Sequence, residues 1–204
     1  LGAAAGALRL GVAIIEIDPG KRSTPPHSHA DEEEAFLVLA GSGLSYQCAP
    51  DGSDPRMRFD HGVGVQLAPG SHALTWMDAR IDGVPVTPRS GYAIEIDALA
   101  YNAAHFASAW ADAHRSRFAR AFRARLRGAE ADFAARYWDE ARGYLADAHD
   151  GLRPDPSLRP NQLWALGLPF RPVASAVARA ALEAVQRALL VPVGLRTLAP
   201  HDPA

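Results

Sequence analysis

The sequence predicts an α+β fold, a small antiparallel β unit followed by an all-α segment, on three observations. Up to about residue 95, short β-type runs alternate with Gly and Pro clusters. Beyond it, Ala and Arg dominate and the apolar residues take a helical period. No apolar run reaches the ~20 residues that a bilayer span requires. The domain boundary is set between residues 72 and 73, giving segments 1–72 and 73–204.

The β-type runs are Val12 to Ile17, Ala35 to Ala40 and Val63 to Leu67. Asp18-Pro19-Gly20, Gly41-Ser42-Gly43 and Pro50 to Pro55 bound them as turns, the last as a long exposed loop. In the second segment Ile96, Leu99, Ala103, Phe106 and Trp110 mark one helical face. Phe118, Phe122 and Leu126 mark the next, followed by Phe133, Tyr137 and Trp138. Leu163, Trp164 and Leu166 predict a short helix. Val173, Val177, Ala181, Val185 and Leu189 predict a long one, stopped by Pro192. The prolines between Asp147 and Pro160 predict a loop, and the arginines from Arg115 to Arg127 a solvated helix face.

The 204 residues are enough to bury a core, and 48% hydrophobic with 22% charged residues is ordinary for a soluble globular protein. A net charge of −2 offers no basic field for a phosphate backbone, which argues against nucleic acid as a partner. The single cysteine, Cys48, excludes an internal disulfide and a thiolate metal cluster. The apolar start is interrupted by Arg9 and lacks a basic n-region, so no signal peptide is expected. No membrane partner and a cytoplasmic setting are the expectations.

His27 and His29 stand two apart on a predicted strand, which turns both rings to one face, and Glu34 follows. Two imidazoles and a carboxylate make a partial shell for divalent Fe, Mn, Ni or Zn. Gly20, Pro26-His27-Ser28-His29, Glu34 and Gly41 resemble the first cupin motif over about residues 8–48. Gly20 stands one residue further from His27 than the usual pattern has it. The resemblance implies a fourth ligand, for which His72 in a compressed second motif is the candidate. The alternative for these histidines is an exposed loop. His61, His105, His114, His149 and His201 have no partner pattern and are assigned surface or structural roles.

Trp76 lies beside Asp78, and Glu95 and Asp97 follow at the entry to a helix. An aromatic face packs against the C–H side of a sugar ring, and a carboxyl group can protonate a departing glycosidic oxygen. Trp110, Trp138 and Trp164 are expected as core aromatics.

Residues 74–79, Leu-Thr-Trp-Met-Asp-Ala, together with Val86 to Gly91, Ile94-Glu95-Ile96 and Ala98 to Ala103, resemble the C-terminal glucosidase domain of glycogen debranching enzymes. The likeness continues at Gly143-Tyr144-Leu145, Asp150-Gly151, Arg159 to Ala165 and Gly194 to Pro200, and runs over about residues 60–203. This amylo-α-1,6-glucosidase resemblance implies part of an (α/α)6 barrel and inverting removal of α-1,6-linked glucose from glycogen or limit dextrin. It implies Asp78 as general acid, with Trp76, Glu95, Arg159 and Asn161 lining or bracing the sugar pocket, an α-glucan or oligosaccharide as partner, and no cofactor. The chain departs from the family where Ala100 replaces a Trp and where Gly91-Tyr92-Ala93 replaces Gly-Lys-Pro. The family's other catalytic carboxylate corresponds to a position past Ala204. The expectation is therefore a fragment that is a weak or inactive hydrolase, with uncovered helical faces that favour self-association. Two alternatives stand beside it: a cupin-type divalent-metal-binding protein, and a non-catalytic glucan-binding or scaffold fragment.

Overall fold

A computed structural model describes residues 17–18, 44–45, 57–59, 62–68, 74–116 and 119–202. The chain divides into two compact units, 1–35 and 36–204, and every element named below lies in the second. His27, His29, Glu34 and His72 lie outside the described residues, as do Cys48 and the runs at Val12 to Glu16 and Ala35 to Ala40.

Antiparallel strands β1 (Leu44–Ser45), β2 (Met57–Phe59), β3 (Val65–Leu67), β6 (Gly91–Ala93), β9 (Ala148–His149) and β10 (Pro154–Asp155) form one six-stranded sheet in that order. The sheet crosses residue 72, since Leu67 of β3 pairs with Gly91 of β6. Three small hairpins stand apart from it: β4 (Arg80–Ile81) with β5 (Val84–Pro85), β7 (Trp138–Asp139) with β8 (Tyr144–Leu145), and β11 (Leu190–Val191) with β12 (Gly194–Leu195). The segment from residue 73 onward thus mixes helices with short strands, where the sequence pattern predicts helices alone. Its hairpins are two-residue strands, too short to leave an alternating signature. The predicted loop from Asp147 to Pro160 contains the β9–β10 hairpin.

The helices are α1 (Ile94–Ala113), α2 (Ala119–Leu126), α3 (Ala129–Tyr137), α4 (Leu163–Gly167) and α5 (Ser175–Leu189). Each predicted helix exists, but the face of α1 is rotated from the expected one. Ile94, Ala98, Tyr101, Ala104, Ser108 and Ala111 are buried, whereas Leu99 and Phe106 are exposed. The reason is close packing: small residues let α1 approach α2 and α4, so the alanine stripe wins the inside position over the larger side chains. Trp164 is likewise exposed rather than core, with Ala165 beside it buried. Arg125 departs from its solvated face, is buried, and donates to the Gly62 carbonyl.

The main core gathers Ile94 and Ala98 of α1, Phe133 and Tyr137 of α3, Leu145 of β8, Ala165 of α4, and Val173, Ala178 and Ala181 on and before α5. One buried carboxylate sits against it. Asp97 accepts from the Val65 backbone N–H at 2.9 Å, from Arg136 at 2.7 Å and from the Tyr137 hydroxyl at 2.7 Å. It thus joins β3, α1 and α3. No helix among the described residues is long and apolar enough to cross a membrane.

Gly91 and Gly143 share a backbone φ of +73°, yet a Cβ on Gly91 would lie 2.6 Å from Asp150 Cα and against the His149 carbonyl, whereas one on Gly143 would meet nothing within 4 Å. Gly143→Ala should cost about 1 kcal/mol for its backbone conformation alone. Gly91→Ala should cost more than about 2 kcal/mol or prevent folding, because the β6–β9 pairing must separate. Denaturant unfolding of the two variants checks this, and equal losses would contradict it.

Burial raises the Asp97 carboxyl to about 6 despite the opposing charge of Arg136. The folded protein therefore holds this proton through an interval, from about 4 to 6, in which the unfolded chain releases it. The folded state binds more protons there, so Asp97 makes stability decline as pH rises across that interval. The stability of wild type relative to Asp97→Asn should fall on the order of 3 kcal/mol between pH 4 and pH 7. Paired unfolding curves at pH 4, 5, 6 and 7 measure it, and a constant or rising difference would contradict it.

Candidate active site

The loop between β5 and β6 carries Arg89, which is buried beneath the Thr75–Asp78 segment. Both of its terminal nitrogens donate to Glu95, Nη1 to Oε1 and Nη2 to Oε2, the latter at 2.7 Å. Nη2 also donates to the Asp147 carbonyl at 2.9 Å, and Nη1 to Thr75 Oγ1 at 3.3 Å. Nε stands 2.9 Å from Asp147 Oδ2 as an ion pair without hydrogen-bond alignment. A fork of fixed donors suits this work, because a guanidinium can engage two carboxylates at once.

Asp147 continues the network outward. Its Oδ1 accepts from Asn161 Nδ2 at 2.7 Å, and its Oδ2 lies 3.7 Å from Arg159 Nε. Burial raises this carboxyl to about 6, while Arg89 and the Asn161 hydrogen bond pull it down. Asn161 then turns to the surface: its Oδ1 accepts from the Trp76 indole N–H at 3.1 Å, and its Nδ2 lies 3.3 Å from Met77 Sδ.

The Thr75–Met77 segment is consequently held through Arg89 at Thr75 and through Asn161 at both Trp76 and Met77. Trp76 nevertheless keeps 56% of its surface exposed. Asp78, two residues further along the chain, is also exposed. The tight β4–β5 turn behind it uses Asp82 and Gly83 at positive φ, and Val86 N–H returns to the Ala79 carbonyl.

The sequence candidates therefore fall into two layers. Trp76 and Asp78 face solvent, Asn161 and Arg159 stand beneath or beside them, and Glu95 is buried against Arg89. Glu95 braces rather than lines a pocket, because both of its oxygens are occupied. Sequence reasoning passed over Arg89 and Asp147 as site residues. Asp147 does carry a signal: it is an acid inside the apolar run Tyr144 to Ala148, which calls for a buried partner. Among the described residues no group of three His, Cys, Asp or Glu side chains is placed to hold a metal.

Removing Arg89 leaves two buried carboxylates without their shared cation. Arg89→Gln should lower stability by about 3–5 kcal/mol. Adding Glu95→Gln should recover part of that loss, since the second change removes one of the stranded charges. Denaturant unfolding of the two single variants and the double variant closes the cycle, and additive losses would contradict the coupling.

The family model described as amylo-alpha-1,6-glucosidase matches residues 45–204. No curated protein matches the chain. That match takes in most of the sequence, including Trp76, Asp78, Arg89, Asp147 and Asn161, and the protein belongs to the amylo-alpha-1,6-glucosidase family.

Proposed function

We propose that this domain acts on α-1,6-linked glucose at the branch points of glycogen or limit dextrin, with Asp78 as the general acid. The observation that carries the reading is the pairing of an exposed but tethered Trp76 with an exposed Asp78 two residues on. The Trp76 face takes the C–H side of the glucose ring. A water attacks the anomeric carbon as the glycosidic C–O bond breaks, the Asp78 carboxyl protonates the departing oxygen, and the attacking water gives up its proton to the surrounding solvent. Glu95 and Asp147 are committed to Arg89, so they serve as supports and not as the base of an inverting pair. Asn161 fixes the indole by its N–H, and Arg159 holds the neighbouring segment through the Thr197 carbonyl at 3.2 Å. Such fixation reduces the ordering cost of binding a sugar in one orientation.

The test is glucose release from an α-1,6-branched limit dextrin. Asp78→Asn should lower kcat by about 10²–10⁴-fold. Trp76→Ala should raise KM, and Trp76→Phe should raise it less, because a ring remains while the bond to Asn161 is lost. Equal turnover by wild type and Asp78→Asn would remove Asp78 from the mechanism. Glucan binding without any hydrolysis by the wild type would instead favour a non-catalytic binding module.

A further inference from the structure

On the β7–β8 and α5 side of the domain an open cavity of about 580 Å³ is lined by Arg142, Tyr144, Leu158, Arg187, Arg196 and His201, with the alanine face of α5 as its floor. That volume is in the range of small-ligand sites. Its cations are not equivalent. Arg142 is already held by Asp139 at 2.5 Å across the β7–β8 turn. Arg187, near the end of α5, and Arg196, just after β12, have side chains with no ion pair or hydrogen bond among the described residues. The nearby Asp202 carboxylate is engaged by the Leu158 backbone N–H at 2.6 Å. Tyr144 gives its hydroxyl proton to the Pro156 carbonyl at 2.9 Å, which leaves its oxygen free to accept from a sugar hydroxyl.

We propose that this cavity is a binding site for a phosphomonoester carried on a sugar, separate from the Trp76 and Asp78 rim. Two uncommitted guanidiniums match a dianion, and their planar forks suit its oxygens. Leu158, Ala184 and most of Tyr144 are buried in the core beneath the cavity, so the apolar surface left for the C–H face of a hexose is that of Ala188 and Pro200. The anion site stands on the arginines alone, whereas the sugar that bears the phosphate rests on the glucan reading above. The phosphate has two possible sources, a free hexose phosphate or a phosphorylated glucan chain.

Calorimetric titration of the purified chain with glucose 6-phosphate, glucose, inorganic phosphate, and phosphorylated and unphosphorylated maltodextrin tests it. Glucose 6-phosphate should bind at least tenfold more tightly than glucose and than inorganic phosphate, with an affinity that weakens as salt is raised. Tighter binding of phosphorylated maltodextrin than of glucose 6-phosphate would identify the chain-borne source, and the reverse order the free one. The double variant Arg187→Gln, Arg196→Gln should lose the preference for phosphorylated ligands at least tenfold. Its melting temperature and its glucose release from limit dextrin should match wild type, and Asp78→Asn should leave phosphomonoester binding intact. Undiminished binding by the double variant, glucose binding as tightly as its phosphate, or inorganic phosphate binding as tightly as glucose 6-phosphate would each overturn the assignment.

Discussion

The Arg89 guanidinium, clasped between Glu95 and Asp147, is the contact on which the remaining arrangement depends. It ties the loop before β6 to the first turn of α1 and to the stretch between β8 and β9. Three charged groups are taken out of water at once, which is costly unless each is paired. The pairing is met from several sides, by two Glu95 oxygens, the Asp147 carbonyl, the Asp147 carboxylate and Thr75. Geometry of that kind gives no large gain in stability, since a well-packed apolar trio would serve as well. What it does give is a single position for the chain on either side, because the fork accepts few alternatives.

A second polar node stands one helical step away. Glu95 and Asp97 both lie in the first turn of α1, where negative charge meets the positive end of the helix dipole. Neither acts as a cap, and Ala93 before them provides no side-chain cap either. The helix entry is secured instead by the Ile94 N–H donating to the Asp147 carbonyl at 3.2 Å. Glu95 turns toward Arg89, while Asp97 turns toward Val65, Arg136 and Tyr137. The start of α1 thereby fixes the candidate site on one side and the sheet and α3 on the other. Gly91 belongs to the same junction, since only a residue without a Cβ lets β6 approach β9 closely enough.

The existence and order of the helices were legible in the sequence because long apolar periodicity survives single exceptions. Their inward faces were less so. In α1 the periodicity of Leu99, Phe106 and Trp110 pointed to one side, but alanines face inward on another, and alanine contributes almost nothing to an apolar stripe. The hairpins were hidden for a different reason: two paired residues cannot display a period of two. Trp76 and Asp78 stood out in the sequence as candidates, since an aromatic plate near an acid is a local pattern. Arg89 and Asp147 did not, because they are 58 residues apart and acquire meaning only when β6 and β9 pair. The buried acids Asp97 and Asp147 share a local mark, an aspartate set among apolar neighbours.

An exposed tryptophan is an unusual thing to hold rigidly. A free indole on a loop would sample many rotamers, and a ligand would have to select one of them at an entropic cost. Here the ring is fixed from behind by Asn161, which is fixed by Asp147, which is fixed by Arg89, so its outer face is presented without being covered. The links are buried polar groups joined by hydrogen bonds from Trp76 to Asn161 to Asp147 and by an ion pair from Asp147 to Arg89, and the chain ends at the surface on an exposed indole. If Asn161 were replaced by an apolar residue, Asp147 Oδ1 would lose its donor and the indole its anchor together. Stability and the fixed orientation of the indole would then decline as one, which is the behaviour of a network built to position a surface group rather than to hold a core.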